Sequence, residues 1–339
     1  MPVTLQDIAQ ELNVSIATVS RALRGMPGVA ESTRKLVLKA AQERGYYPNL
    51  TAQQLQRQRT NTIGFIIPTF GPRFSDPFFS ELLAGIGNAA AEAEFDLLVS
   101  TVAPGKDELP GYQHLVAGRR VDGLLVVRTR RQDQRIAYLL AEEFPFVAFG
   151  RTDQELNFPY VDVDGEQGLF QVMTHLIEQG HQRIAFINAP EELMFAQYRL
   201  AGYRQALAAH GLPYDDDLVR LGGLAETDGY QAGWELFCLG EQMPTAVCTS
   251  NDLMALGVMR AARECGLQVG GDIAIAGFDD IPLAQMAHPP LTSVHQPIYQ
   301  IGRLICEKLL CLLRGEELTE PQTLLLPELV VRESTDYRV

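Results

Sequence analysis

The sequence predicts a small all-α domain of the helix-turn-helix type at the N-terminus, followed by a larger α/β domain built on parallel sheets. Three amphipathic segments separated by tight turns come first, and short apolar runs alternate with helical patterns from Thr62 onward. With 339 residues the chain exceeds one hydrophobic core, so two or three compact units are expected. We therefore divide it into residues 1–47, a hinge helix and linker of residues 48–61, and a large domain of residues 62–339.

Charge is distributed unevenly along the chain. The sequence carries 28 Lys and Arg against 42 Asp and Glu, for a formal net charge of −14. The first 60 residues hold eight bases and four acids, a balance of +4, which leaves 20 bases and 38 acids, a balance of −18, for the rest. A basic head on an acidic body favours nucleic-acid binding confined to the N-terminal end, because phosphate repels the body.

Composition argues against membrane and disulfide-stabilised classes of protein. No apolar run approaches the roughly 18 residues that a membrane-spanning helix needs, and the polar N-terminus does not resemble a signal peptide. The five cysteines lie in apolar surroundings without metal-ligand spacing, and their odd number argues against a disulfide framework. A cytoplasmic protein with no membrane partner is expected.

The first two predicted helices and the turn between them form the helix-turn-helix. Thr4 and Asp7 make a variant capping box for the first helix, and Ser15 is a natural N-cap for the second. The second helix buries one face and leaves the other accessible, the accessible side chains being Ile16, Ala17, Ser20 and Arg21. Such a surface fits the major groove of DNA, whereas the alternative is a generic three-helix bundle with no ligand.

A third helix near residues 32–44 completes the small core. Its predicted buried side chains are Leu36, Val37, Ala40 and Ala41. No acid occurs between Gly45 and Ile63. Asn49 can cap a short helix there, in which Leu55 and a basic end suit the minor groove, although a plain polar linker is the alternative.

From Thr62 onward, predicted strands and helices alternate. The strands are Ile63–Ile67, Leu97–Thr101, Gly123–Val127, Phe146–Phe149, Arg183–Ile187, Ala246–Thr249 and Ile273–Ala276. The helices include Phe79–Glu94, Gln167–Glu178, Ala201–His210, Asp228–Leu239, Leu253–Cys265 and Tyr299–Leu313. This alternation favours parallel sheets covered by helices, whose ligands gather at the carboxyl ends of the strands.

Polar and aromatic residues follow several of these strands directly. They are Ser75, Asp76, Phe78 and Phe79 after the first strand, Arg151 after the fourth, Arg199 at the opening of a helix, Asn251 and Asp279 after the last two strands, and Gln296 on the final crossover. Carboxylate, amide, guanidinium and aromatic groups together suit a polyhydroxylated ring. For the two phenylalanines, the alternative is a helix start with core side chains.

Three other patterns are interpreted as structural. Gly85–Ala90 matches a dinucleotide fingerprint by letter but lies inside a predicted helix. Asp162 and Asp164 resemble a metal pair, yet Asp164 more simply caps the helix that follows it. Asp279 and Asp280 are accompanied by no nucleophile or metal cluster, so we expect no catalysis, cofactor or metal.

The chain resembles the lactose/galactose repressor family in three runs and continues to resemble it beyond them. The runs are Thr4–Ala9, Val14–Leu23 and Tyr47–Ala52. The resemblance implies one set of DNA-binding residues: Thr4, Ser15, Ile16, Ala17, Thr18, Ser20, Arg21, Arg24, Asn49, Ala52 and Leu55. Ile16, Ala17 and Arg21 are then expected at base edges. Arg24 replaces the usual Asn, and Ala30 replaces the usual Ser cap of the third helix, which weakens that helix start by about 1 kcal/mol.

The resemblance also implies a periplasmic-binding-protein-like effector domain of two parallel-sheet subdomains with a cleft between them. The effector-binding set would be Ser75, Asp76, Phe78, Phe79, Arg151, Arg199, Leu224, Asn251, Asp279 and Gln296. Leu224 falls where some sugar-binding relatives have an aromatic platform. The implied function is a homodimeric transcriptional regulator, usually a repressor, which binds a pseudo-palindromic double-stranded DNA operator under control of a small-molecule effector, here a carbohydrate. A purine-type co-repressor-responsive regulator and a solute-binding receptor are the alternatives.

Overall fold

The computed structural model describes residues 3–23, 25–46, 59–68, 76–102 and 107–336. The chain divides into two units, residues 1–59 and residues 60–339, and each unit has its own hydrophobic core. Within the described ranges, no helix combines the length and the apolar character needed to cross a membrane.

The small unit packs three helices around one core: α1 (Leu5–Glu11), α2 (Ile16–Leu23) and α3 (Glu31–Glu43). The predicted capping box at the start of α1 is confirmed. The Thr4 hydroxyl accepts a hydrogen bond from the Asp7 N–H at 3.3 Å, and the Asp7 carboxylate accepts one from the Thr4 N–H at 2.7 Å. Asn13 turns the chain between α1 and α2 with a φ of 51°. The buried side chains are Ile8, Ala9, Val19, Ala22, Val37, Ala40 and Ala41.

The third helix departs from its prediction at one position. Leu36 was expected in the core, but its side chain is 57% exposed. At 3.6 residues per turn, Leu36 lies roughly 90° from the centre of the stripe that buries Val37, Ala40 and Ala41, so three short helices cannot cover it. Ala30 occupies the N-cap of α3 and makes no side-chain capping hydrogen bond, because its methyl group cannot accept one.

The large unit contains two sheets of six strands each. Their strands are β1 (Thr62–Pro68), β2 (Asp96–Val102), β3 (Gly123–Val126), β4 (Phe146–Phe149), β5 (Tyr160–Val163), β6 (Ile184–Asn188), β7 (Val219–Leu221), β8 (Ala246–Thr249), β9 (Ala274–Asp279), β10 (Thr292–His295), β11 (Gln322–Leu325) and β12 (Glu328–Val330). The first sheet has the order β11-β5-β4-β3-β1-β2 and the second the order β12-β10-β9-β8-β6-β7. Neighbouring strands are parallel, apart from the antiparallel pair β10 and β12.

Helices cover both faces of the two sheets. They are α4 (Pro77–Glu92), α5 (Leu109–Ala117), α6 (Gln134–Ala141), α7 (Gly165–Glu178), α8 (Met194–Ala209), α9 (Glu226–Phe237), α10 (Asp252–Glu264), α11 (Pro282–Met286) and α12 (Ile298–Arg314). We call the first sheet with α4, α5, α6 and α12 the N-terminal subdomain, and the second sheet with the other helices of the unit the C-terminal subdomain. The predicted fold class, a helix-turn-helix domain followed by two parallel-sheet subdomains, is confirmed.

The chain crosses between the subdomains three times. It crosses at Asp164 between β5 and α7, near Gln296 between β10 and α12, and at residues 326–327 between β11 and β12. Asp164 also caps α7, since its carboxylate accepts from the Gln167 N–H at 3.0 Å, as the sequence indicated.

Sequence patterns missed five strands that contain polar residues: β5, β7, β10, β11 and β12. Length does not explain the omission, since the located strands β3, β4 and β8 also have four residues. Each missed strand instead contains a charged side chain or at least two polar ones, as in the Thr-Ser-Val-His of β10. Helix α8 begins at Met194, whereas the sequence pattern predicted a start at Ala201. The pattern missed the true start because the N-cap residue, Leu193, has no side-chain acceptor that would mark it.

Candidate ligand cleft and nucleic-acid interface

One cavity in the large unit gathers the predicted effector-binding residues from both subdomains. Its lining includes Asp76, Phe78, Phe79, Arg151, Arg199, Leu224, Asn251, Asp279 and Gln296. It also includes residues absent from the prediction, notably Arg128, Thr129, Phe149, Asp162, Phe195 and Tyr198. The cavity lies where strand ends of the two sheets face each other, as expected for parallel α/β folds.

The first charged pair joins Asp76 to Arg128 within the N-terminal subdomain. Asp76 is the N-cap of α4 and accepts from the Phe78 N–H at 3.1 Å. Its other carboxylate oxygen accepts from Arg128 Nη2 at 3.0 Å, and the Arg128 guanidinium lies 4.8 Å from the centre of the Phe79 ring. Burial raises the pKa of Asp76 above its usual value, although Arg128 acts in the opposite direction.

The second pair joins Arg151 to Asp162 in the same subdomain. Arg151 Nε donates to the Asp162 carboxylate at 2.7 Å. The guanidinium lies 4.0 Å from the centre of the Tyr198 ring, which belongs to the opposite subdomain. Burial raises the pKa of Asp162, and the neighbouring Arg151 opposes the shift. Asp162 therefore pairs with an arginine rather than with Asp164 around a metal.

The third pair, Arg199 and Asp279, is looser and lies in the C-terminal subdomain. The nearest guanidinium and carboxylate atoms are 3.7 Å apart, and Gln296 Nε2 donates to Asp279 Oδ1 at 2.6 Å. Arg199 lies between the rings of Phe195 and Phe278, with centroid distances of 4.6 Å and 3.6 Å, and donates to the Ser250 carbonyl. Its Nε is buried, and no acceptor among the described residues pairs with it.

Burial perturbs both members of this third pair. It lowers the pKa of Arg199 to about 10 and raises the pKa of Asp279 to about 7, with Arg199 opposing the second shift. Asp279 also has a left-handed backbone φ of 110°, which is unusual for a residue other than glycine. Asp279 is therefore protonated at a higher pH than an ordinary aspartate.

Asn251 lines the cavity, but its side chain already has two protein partners. Its Oδ1 accepts from the Met254 N–H at 3.0 Å as the N-cap of α10, and its Nδ2 donates to the Leu224 carbonyl at 2.9 Å. Leu224 has a left-handed φ of 76° and is buried. The amide therefore holds the Leu224 backbone in place, and any ligand contact from Asn251 must share atoms already engaged.

The aromatic side chains after β1 divide between the core and the cavity. Phe79 is fully buried and packs in the core of the N-terminal subdomain. Phe78 is half-buried and stacks on Phe149, with centroids 6.0 Å apart and planes 18° from parallel. Phe78 and Phe79 meet edge to face at 84°. The core interpretation is therefore confirmed for Phe79, and stacking of Phe78 on a ligand stays a prediction.

Two kinds of signal could have found the residues that the prediction missed. Arg128 and Thr129 follow β3 closely, so the strand-end rule already covers them. Phe195 and Tyr198 lie in the first turns of α8, whose start was placed too late. For the same reason Arg199 does not open that helix but lies more than one turn inside it.

In the small unit, the predicted base-reading side chains lie on the accessible face of α2. Ile16 is 48% exposed, and Ala17 and Arg21 are also exposed. Ser15 Oγ accepts from the Thr18 N–H at 3.0 Å, which caps α2. Thr4 uses its hydroxyl in the capping box, and Ser20 is half-buried. The predicted contacts Arg24, Asn49, Ala52, Leu55 and Ser75 lie outside the described residues.

Known proteins resemble this chain over nearly its whole length. A family model described as "Bacterial regulatory proteins, lacI family" matches residues 4–49, and one described as "Periplasmic binding protein-like domain" matches residues 173–335. The HTH-type transcriptional regulator AglR of Rhizobium meliloti (strain 1021) is 37% identical over 339 residues, covering 99% of this chain and 95% of the relative. The chain belongs to the lacI family.

Further relatives agree with this assignment. The HTH-type transcriptional repressor CytR of Escherichia coli (strain K12) is 36% identical, with 98% of this chain and 96% of CytR covered. The structure of the lac repressor dimer bound to operator and the anti-inducer ONPF matches with a TM-score of 0.87, 31% identity and 99% coverage of both chains. The complex of the regulator CelR with cellobiose matches with a TM-score of 0.74, 34% identity, and coverage of 98% and 99%. This lacI-family chain is therefore a DNA-binding transcriptional regulator of the helix-turn-helix type.

Proposed function

We propose that this regulator is a homodimeric, cytoplasmic repressor whose affinity for a pseudo-palindromic operator is set by an uncharged, hydroxyl-rich effector, a sugar or glycoside, in the cleft. The observation that carries the proposal is the composition of the cavity lining. In the described part of the lining, three arginines and three aspartates form three pairs, and aromatic rings lie beside them. That part of the lining is therefore formally neutral.

Charge balance supports an uncharged effector over an anionic one. Each arginine in the described lining already faces a carboxylate, so a phosphate or uronate would enter beside three acids, of which Asp162 and Asp279 are buried. A hydroxyl group can donate to one member of a pair and accept from the other, which leaves the charge of the site unchanged. The buried Arg199 Nε is a donor that a hydroxyl oxygen would satisfy.

Ring geometry bears on the alternative purine effector. A flat base held between Phe78 and Phe79 would require two nearly parallel faces, but these rings meet at 84°. Phe78 instead stacks on Phe149. Phe78 and Phe79 therefore present one ring edge and one ring face to the cavity, not two parallel faces. This arrangement supports a ring with an apolar face and a polar rim, as sugars have.

DNA recognition would use the exposed face of α2 in two copies of the chain. Ile16 and Ala17 have no hydrogen-bonding side chain, so specificity at their positions would rest on apolar contact, for example with thymine methyl groups. Arg21, exposed at the end of the same face, would be the main polar reader. The dimer of the lac repressor on its operator supports this arrangement by similarity.

The test is a thermal-shift screen of the full-length protein with neutral mono- and disaccharides, their 6-phosphates, and purines. We expect a neutral sugar to give the largest rise in melting temperature, because the paired charges disfavour a phosphate and the edge-to-face rings of Phe78 and Phe79 disfavour a purine. The same sugar is then added to a gel-shift titration on operator DNA selected from random sequence. A larger rise with a phosphate or a purine, or operator binding that the sugar leaves unchanged, would contradict the proposal.

A further inference from the structure

Beside the cavity, a loop of the N-terminal subdomain pairs with the C-terminal subdomain as a short antiparallel bridge. The Arg131 N–H donates to the Glu192 carbonyl at 3.0 Å, and the Met194 N–H donates to the Thr129 carbonyl at 2.9 Å. These two bonds flank the bridge between Arg130 and Leu193. We call residues 128–131 and 192–194 together the clasp. It joins the subdomains at a place that is distant in sequence from the three chain crossings.

A buried cluster of four charges holds the loop side of the clasp. Arg135 is 1% exposed and donates to both Glu108 and Asp133, and Arg130 donates to Glu108 at 2.6 Å. The two cations and two anions balance within the cluster. Burial alone would raise the pKa of Asp133, but the hydrogen bonds and charge of Arg135 outweigh it and hold that pKa below its usual value. Such a cluster is rigid because moving one member leaves another buried charge unpaired.

The charge cluster fixes the backbone of the clasp at two points. Arg135 Nη2 donates to the Arg128 carbonyl at 3.0 Å, and Asp133 Oδ2 accepts from the Arg130 N–H at 2.9 Å. At the first of these points, Arg128 has a left-handed φ of 49°, a conformation that a non-glycine residue keeps only when its surroundings impose it. The same conformation directs the Arg128 side chain to Asp76 in the cavity.

We infer that the clasp links the position of Arg128 in the effector cavity to the closure of the two subdomains, with Arg135 as a positioning residue. In one short loop, the Arg128 side chain supplies a cation to the cavity, and the backbone of Thr129 and Arg131 forms the hydrogen bonds of the bridge. A change that opens the bridge therefore loosens Arg128, and a change that releases Arg128 loosens the bridge, since such coupling is reciprocal. The inference rests on the proposed function only in assigning the cavity to an effector.

Met194 offers a clean way to open the clasp. It is the first residue of α8, where proline is well tolerated because that N–H is not needed by the helix. Leu193 already has the extended backbone, φ −79° and ψ 128°, that a residue before proline prefers. Met194→Pro thus removes one bond of the bridge, whereas the matched control Met194→Ala shortens the same side chain and keeps the N–H.

The readout is amide hydrogen exchange of Arg131 in the full-length protein without added ligand. In Met194→Pro we expect exchange roughly tenfold faster than in Met194→Ala, because the remaining bond loses its partner across the bridge. Arg128→Ala should also accelerate exchange at Arg131, and Arg128→Lys, which keeps a cation near Asp76, should restore part of the protection. Adding Arg128→Ala to Met194→Pro should give little further increase, because coupled changes are not additive.

Equal exchange at Arg131 in Met194→Pro and Met194→Ala would overturn the inference, as would full additivity of Met194→Pro and Arg128→Ala. Equal melting temperatures of the two Met194 variants guard against a general loss of structure. Operator binding is measured separately on the unmodified protein. Failure there would reject the proposed function and leave the exchange result standing.

Discussion

The two walls of the effector cavity hold their charges in different ways. On the N-terminal wall, Arg151 and Asp162 are 2.7 Å apart and Arg128 and Asp76 are 3.0 Å apart, and Arg135 of the charge cluster holds the Arg128 carbonyl. On the C-terminal wall, Arg199 and Asp279 are separated by 3.7 Å, and Arg199 Nε has no partner among the described residues. The first wall is satisfied before any ligand arrives, whereas the second has hydrogen bonds left to make.

This difference indicates a division of labour. A wall whose charges are already paired keeps its shape and selects ligands by fit, because little is gained by rearranging it. A wall with an unsatisfied donor and a carboxyl group near its midpoint of titration gains hydrogen bonds only when a ligand supplies them. Most of the binding free energy from polar contacts should therefore come from the C-terminal wall.

The largest effect is expected on the free energy of unfolding, when the N-terminal wall loses the buried guanidinium of Arg135. Arg135→Met leaves Glu108 and Asp133 buried without their main cation, so the free energy of unfolding of the large unit should fall by about 3–5 kcal/mol. Arg131→Met is the matched control, because that arginine pairs with Asp153 at the surface and should contribute less than about 1 kcal/mol. Urea unfolding of both variants measures the difference. Similar losses in the two would mean that the wall does not depend on the charge cluster.

The next effect concerns the C-terminal wall. Asp279→Ala should weaken binding of the sugar selected in the thermal-shift screen about 100-fold, because removing a buried charged partner costs about 3 kcal/mol. Isothermal titration measures the affinity, and a gel shift checks that operator binding without sugar persists. A variant that binds the sugar normally and still responds to it would remove Asp279 from the site.

The smallest effect is a dependence of sugar binding on pH. Burial raises the pKa of Asp279 to about 7, while Arg199, Gln296 and Arg128 oppose the shift and Asp76 adds to it. A sugar hydroxyl donates to the carboxylate form, so affinity should fall roughly tenfold between pH 8 and pH 6 as that form is protonated. Asp279→Asn should bind with little change over the same range, and a steep pH dependence in that variant would assign the titration to another group.

The raised pKa of Asp279 also makes the free energy of unfolding depend on pH. A carboxyl group whose pKa is higher in the folded than in the unfolded protein stabilises the fold at low pH. That contribution is complete below the usual value of 3.8 and is lost as the pH rises toward about 7. The difference in unfolding free energy between the unmodified protein and Asp279→Asn should follow this direction, opposite to that of an ordinary salt-bridged aspartate.

Sequence patterns located about half of the cavity residues, but they could not identify the partners of those residues. Rules for strand ends brought Asp76 and Arg151 to one edge of the first sheet and Asp279 to the corresponding edge of the second, because parallel strands carry their ends to the same side of a sheet. They could not show that Asp76 pairs with Arg128, since that contact joins residues 52 positions apart. Asn251 was correctly placed in the lining, yet its engagement as a helix cap depends on where α10 begins in three dimensions.

The errors have equally physical causes. Leu36 was placed in the core because apolar periodicity does not show how wide a stripe three short helices can cover. Arg199 was placed at a helix opening because an apolar N-cap such as Leu193 carries no signal. Both errors arise where tertiary packing, rather than local preference, sets the outcome.

The chain crossings give the cavity a mechanical property. Asp164 and Gln296 mark two of the places where the chain passes between the subdomains. Asp164 lies between the cavity residues Val163 and Gly165, and Gln296 lines the cavity itself. When the two subdomains rotate about an axis through the crossings, atoms close to that axis are displaced little. The clasp is a further link between the subdomains, and it consists of backbone hydrogen bonds that can open without breaking the chain. A ligand held near the crossings can therefore remain in place while the clasp opens and closes.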